Sequence, residues 1–141
     1  MLQKKCAAMI SALLVSALPV IAHAGLHTYN FTDKPSTVRV TSSSSKFCSV
    51  TSPFFNKFTP AAVNGKPGES DSAGWEVKAI CQAMSGTCEA DMYASGDCDK
   101  SGAKPMAHLK IDVSTLAVKL VSVVDPYLVE VNGSTVTIRK K

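Results

Sequence analysis

The sequence contains no C-x-x-C pair, no G-x-S-x-G elbow, no H-E-x-x-H and no phosphate-binding loop. The first absence removes the spacing used by zinc ribbons and dithiol oxidoreductases. The others remove common local signatures of serine hydrolases, zinc proteases and nucleotide-binding enzymes. Charge of one sign is also scarce, with 15 Lys and Arg against 11 Asp and Glu for a net +4. A dedicated nucleic-acid binder shows a clustered basic face, and so mild a balance argues against that class. No apolar run reaches the ~20 residues a helix needs to cross a bilayer, which makes a retained membrane anchor the weaker reading. No internal repeat is visible. What is present is a 45% hydrophobic content, too high for a disordered chain. The length of 141 residues fits one domain.

The N-terminus reads as an export signal. Lys4 and Lys5 form a positive start, Ala7 to Ile21 an apolar stretch, and Ala22-His23-Ala24 a small-residue cleavage site behind Pro19. Cys6 lies beside the lysines, not after the apolar stretch, so it is not placed like a lipoprotein cysteine. Residues 1–24 are thus expected to be a cleaved signal peptide, and 25–141 a single β domain beginning at Gly25. The expected address is the periplasm or the exterior.

Cleavage leaves Cys48, Cys81, Cys88 and Cys98. An even number of cysteines in a small exported domain reads as two disulfides. Trp75, Val77, Ala79 and Cys81 alternate with Glu76, Lys78, Ile80 and Gln82, and Cys88, Ala90, Met92 and Ala94 with Glu89, Asp91, Tyr93 and Ser95. The spacing predicts two strands with inward cysteines joined by the turn Ala83–Gly86. That favours Cys81–Cys88 with Cys48–Cys98, while Cys48–Cys81 with Cys88–Cys98 stays open.

Elsewhere, His27–Phe31, Thr37–Thr41 and Lys46–Thr51 read as short strands. Residues 53–74, rich in Pro and Gly, read as a long irregular loop, a kind that is often functional. Leu109, Ile111 and Val113 alternate, and β-branched residues crowd the segment to Val124, favouring strands over a helix there. Tyr127–Val131, Asn132-Gly133 and Ser134–Arg139 read as a tight β-hairpin. The fold expected is all-β, a small disulfide-stapled β-sandwich of about 7–9 short antiparallel strands. The alternative is α+β with one helix near 114–124.

Val77-Lys78-Ala79-Ile80-Cys81, then Cys88-Glu89-Ala90-Asp91-Met92-Tyr93-Ala94-Ser95-Gly96-Asp97-Cys98, then Leu109–Val113 resembles a group of uncharacterised small exported two-disulfide β proteins of gammaproteobacteria. The resemblance spans roughly half of the mature chain and implies a β fold and a bacterial source. It carries over no active-site residue.

Three sites are candidates for chemistry or contact. Cleavage after Ala24 would free Gly25-Leu26-His27, whose amine, two amides and imidazole can wrap Cu(II) or Ni(II) in a square plane. Asp97-Cys98-Asp99-Lys100-Ser101-Gly102 matches half of a calcium loop, but His108 stands where the bidentate Glu belongs. A disulfide-tethered turn accounts for it better. Phe54, Phe55 and Phe58 cluster at the start of the long loop and could anchor a protein, a glycan or a lipid surface, although large apolar residues are mostly core. Paired acids such as Asp97/Asp99 and Glu89/Asp91 more often wet a strand face or turn than perform glycosidase work. His108 is expected on the solvent face of a strand with Met106, Lys110 and Asp112, a poor setting for a Ser–His–Asp relay. Arg139-Lys140-Lys141 reads as a solubilising basic tail.

These features point to an exported, non-catalytic binding protein of the envelope or extracellular space, with an unknown protein, glycan or surface ligand as partner and no cofactor. Its loops 53–74 and 96–105 would carry the contact. The alternatives are a small inhibitor or immunity-type protein against an exported enzyme, and a periplasmic copper binder using its N-terminus.

Overall fold

A computed structural model describes residues 25–50 and 56–141. The export-signal reading at 1–24 and the residues Phe54 and Phe55 lie outside the described residues. Among the described residues, eight strands form two four-stranded sheets. In chain order they are β1 (Leu26–Asn30), β2 (Thr37–Val40), β3 (Gly68–Ser72), β4 (Thr87–Tyr93), β5 (Pro105–Asp112), β6 (Val118–Val123), β7 (Tyr127–Asn132) and β8 (Thr135–Lys140), with one helix, α1 (Gly74–Cys81), between β3 and β4. The sheets run β3-β1-β8-β7 and β2-β4-β5-β6. The all-β sandwich expected from the sequence is therefore the fold, with one departure in its pairing. All neighbours are antiparallel except β1 and β8, which run parallel, Thr28 beside Val136 and Asn30 beside Ile138. β1 lies between β3 and β8, which run in opposite directions, so it is parallel to one of the two, here β8.

Alternation places the core between the sheets. Val40, Cys88, Ala90, Met92, Leu109 and Ile111 face inward from one sheet, and Val129, Val136 and Ile138 from the other; all are buried. Fully burying such a side chain is worth about 1.5–3 kcal/mol relative to leaving it exposed. On one side, the link from β6 to β7 closes the sandwich. On the other, β2 and β3 are both edges, and the gap between them is filled by α1 and residues 57–60.

The segment 75–82 is a helix, not the strand its alternation predicts. Val77 and Cys81 are four residues apart, so the spacing that reads as one strand face also fits one helix face. They point into the core, while Trp75 and Ala79, expected beside them, point outward. Glu76 Oε1 accepts a hydrogen bond from the Ala73 backbone N–H (2.9 Å), satisfying a donor ahead of the first turn. Gln82, left-handed at φ 52°, ends the helix. The pairing Cys81–Cys88 is present, but it ties a helix end to a strand rather than two strands.

Three other expectations change. Residues 68–72, placed in an irregular loop, form β3 because the polar, Gly-led GESDS segment pairs along β1. Of the strand expected at 46–51, the described residues 46–50 form the bridge of Cys48 to Arg39, alongside hydrogen bonds from Val40 N–H to Phe47 O and Ser49 N–H to Val38 O. The 114–117 segment is a tight turn between two strands, as the favoured reading has it, and not the alternative helix. Asp112 Oδ1 accepts from the Ser114 and Thr115 backbone N–H groups (2.9 and 3.0 Å), and Leu116 is left-handed at φ 64°. Those two N–H donors, Thr115's first, hold the Asp112 carboxyl below its ordinary pKa. The hairpin β7–β8 turns at Gly133-Ser134, one residue later than expected, since Asn132 pairs with Thr135.

The second disulfide, Cys48–Cys98, lies on the outer side of the β2–β6 sheet against Tyr93. The two bridges span 50 and 7 residues of chain. Loop-closure entropy makes the longer one worth about 4 kcal/mol and the shorter about 2 kcal/mol. Urea unfolding of the paired variants Cys48→Ala/Cys98→Ala and Cys81→Ala/Cys88→Ala is expected to show losses in that order; the reverse order would mean that the helix tether, not the long crosslink, dominates.

Candidate functional site

Two histidines sit in matching cross-strand settings. On the β2–β6 sheet, β4 presents Glu89 and Asp91 on its outer face, and β5 brings His108 opposite Asp91. In its imidazolium form His108 donates from Nδ1 to Asp91 Oδ1 (2.6 Å) and from Nε2 to Glu89 Oε1 (3.1 Å). On the other sheet, β3 presents Glu69 and Asp71, and β1 brings His27 opposite Asp71. His27 Nδ1 contacts Asp71 Oδ1 and Nε2 lies 3.1 Å from Glu69 Oε1. Acids two residues apart on a strand share a face, so an E-x-D segment beside a histidine flanks the ring on both sides.

At His108, the hydrogen bond to Asp91 first, and then that to Glu89, raises the imidazole pKa above its ordinary value. The hydrogen bond from His108 in turn lowers the pKa of Glu89. The neighbouring charges continue the pattern across the face: Lys110 is paired with Glu89 in register and Arg39 with Asp91. Arg39 also donates to Asp99 (2.6 Å) and to Lys46 O (2.7 Å). His108 does lie on the outer face with Lys110 and Asp112, as expected. Met106 does not join them; it is buried. A bulge in the pairing with β4, between Met92 and Tyr93, breaks strict alternation there.

This arrangement limits the chemistry available. Ser122 of β6 stands opposite His108 in register, completing an Asp–His–Ser row across three strands. A relay needs Nε2 to take the hydroxyl proton, and here Glu89 engages it. Nor can either trio chelate one ion, because its carboxylates lie on opposite ring nitrogens. Among the described residues no group of three His, Cys, Asp or Glu is arranged to hold a metal.

The other candidate sites fall as follows. Gly25-Leu26-His27 leads directly into a paired strand. Leu26 and His27 are in β1, the His27 backbone N–H donates to Ser134 O (2.9 Å), and the ring faces its two acids. A square-planar chelate would have to break the first backbone bond to β8. In the half calcium loop, Asp97 accepts from Ser101 Oγ (2.8 Å) and Asp99 from Arg39, so both carboxylates serve a disulfide-tethered turn. Phe58 is exposed and lines an opening of about 80 Å³ between the sheets. Val38, Ile80, Thr28 and Ser70 line its walls, with Lys57 and Glu76 among the charged residues. This opening is smaller than the ~300 Å³ at which ligand pockets begin.

No protein-family model matches the chain, and no curated protein matches it. Among solved structures, the fold is similar to that of the Legionella pneumophila type II secretion system substrate NttC. The TM-score is 0.63 and the identity 18%, over 84% of this chain and 98% of that one. At that identity the likeness establishes the fold alone. Among the described residues no helix is long and apolar enough to cross a membrane.

The matched E-x-D/His trios were only half legible. Glu89/Asp91 stand out as paired acids in the sequence, but their partner and the second trio depend on strand register. Because the folded pKa of His108 is raised, its stabilisation is complete below the unfolded value of ~6.5 and is lost as pH rises through the folded pKa. The gap in melting temperature between wild type and His108→Gln is expected to be widest near about pH 5.5 and to narrow toward about pH 9. A gap independent of pH would contradict the assignment.

Proposed function

We propose that the protein is exported and acts, without catalysis, by binding a component of the cell envelope or its surroundings. The observation carrying export is the pair of disulfides, whose four cysteines are all buried. Crosslinks of this kind form and persist in oxidising compartments. The signal-like residues 1–24 and the fold shared with a secreted bacterial protein support the same reading. The binding role is supported by a rigid scaffold whose strand ends and loops display exposed apolar and charged side chains. Inhibition of an exported enzyme is a narrower form of this role and would appear as stoichiometric capture of one enzyme.

Intact-mass and non-reducing peptide analysis of protein from its native host tests export directly. The expected result is a chain starting at Gly25, found outside the cytosol, with Cys48–Cys98 and Cys81–Cys88 linked. An uncut chain with freely alkylatable cysteines would overturn the proposal.

A further inference from the structure

Strand direction sorts the surface into two unlike ends. β1, β4, β6 and β8 finish, and β2, β3, β5 and β7 begin, at the same end of the sandwich. The Tyr127 N–H to Val124 O hydrogen bond (3.0 Å) joins the two sheets there. Six exposed basic residues collect at this end: Lys34 beyond β1, Lys66 before β3, Lys104 before β5, and Arg139, Lys140 and Lys141 closing β8. The acids among them are Asp33 and Asp125, with Asp125 paired to Lys141 (2.6 Å). Asp97 and Asp99, in the β4–β5 loop, are engaged by Ser101 and Arg39. From Gly25 onward the chain has nearly balanced charge, so a basic end leaves the rest of the molecule acidic.

Apolar side chains are interleaved with these cations. Phe31, Val63, Val123, Val124 and Leu128 all lie at this end, exposed by between 36% (Phe31) and 65% (Val63). They are five of the nine large apolar residues exposed among the described residues. Leu128 is opposite Arg139 in register. The Arg139 guanidinium lies 4.0 Å from the centre of the Phe31 ring, and the Lys140 ammonium 5.9 Å from that of Tyr127. Of the residues read as a solubilising tail, Arg139 and Lys140 are thus the last residues of a central strand, set against aromatic rings.

We propose that this end of the sandwich docks on an anionic phospholipid surface. Charge complementarity favours an anionic partner, and the apolar residues select among anionic partners. A bilayer offers negative headgroups and, just beneath them, hydrocarbon that takes up Val, Leu and Phe side chains while long basic stems keep their charges at headgroup level. A polysaccharide or nucleic-acid polyanion would use the cations and leave the valines and Leu128 in water. The inference names the partner for the binding role proposed above, and its test does not depend on that export result.

Sedimentation with vesicles of phosphatidylcholine alone, or with about 30 mol% phosphatidylglycerol, tests it on the oxidised full-length product purified from its host. The variants are Lys140→Glu/Lys141→Glu and Val124→Ser/Leu128→Ser, each first checked for an unchanged melting temperature. Binding is expected to be at least about tenfold tighter to the anionic vesicles, to weaken with salt, and to fall by about tenfold or more in each variant. Should Val124→Ser/Leu128→Ser unfold, Val63→Ser on the separate 63–66 turn supplies the apolar arm. Equal binding to both vesicles, no binding to either, or an apolar variant binding like wild type would overturn the proposal. The last of these would instead indicate a polyanion contact. A vesicle failure with Gly25 found as first residue leaves export standing, and the converse holds equally.

Discussion

The parallel pairing of β1 with β8 is the constraint on which the rest of the structure depends. It inserts the first described strand into the middle of a sheet whose other members come from late in the chain and from the 68–72 segment. Without β1, β3 has no neighbour in that sheet, and β8 becomes an edge. The same insertion places His27 beside Glu69 and Asp71, and brings Phe31 under the Arg139 guanidinium. Backbone bonds from the His27 N–H to Ser134 O and from the Phe31 N–H to Ile138 O fix both ends of the contact. A non-local pairing of this kind has a high closure cost, so crosslinks that restrict the unfolded chain have most to offer such a fold.

The two disulfides act on different parts of that problem. Cys81–Cys88 anchors α1 to β4 and so holds the plug between the edge strands β2 and β3. Cys48–Cys98 holds the 46–50 segment and the β4–β5 loop together over Tyr93, outside the sandwich. That segment also covers the exposed edge of β2 with backbone hydrogen bonds. At the opposite edge of the same sheet, β6 carries an irregularity in its pairing with β5, which disfavours edge-to-edge association. The outer faces then carry alternating charge across neighbouring strands, which lets acids, histidine and basic residues coexist without large fields of one sign.

Much of the fold was legible in the sequence, because strand alternation and turn chemistry are local. The inward set Cys88, Ala90 and Met92 and the β-branched strand of residues 118–123 are where periodicity places them, and the hairpin from Tyr127 is displaced only by one residue at its turn. The misreadings have physical reasons. Over eight residues, Val77 and Cys81 satisfy period two and period 3.6 equally, and burial decided for the helix. β3 has no apolar alternation to detect, since its GESDS segment is held by backbone pairing and lies at an edge. Parallel pairing leaves no trace in either strand alone. The candidate sites were less legible still. A histidine between two acids needs register, and the basic end needs strand direction, neither of which spacing along the chain supplies. The copper reading at Gly25–His27 assumed a loose terminus, whereas these residues lead into a paired strand.

Residue-resolved amide hydrogen exchange tests the central pairing most directly, because protection reports which strands open only with the whole fold. The amides of His27 and Phe31 are expected to exchange as slowly as those in the middle of β4 and β5. Rapid exchange along β1 while β4 and β5 stay protected would contradict the account, since the first strand would then be an appendage and not the centre of its sheet.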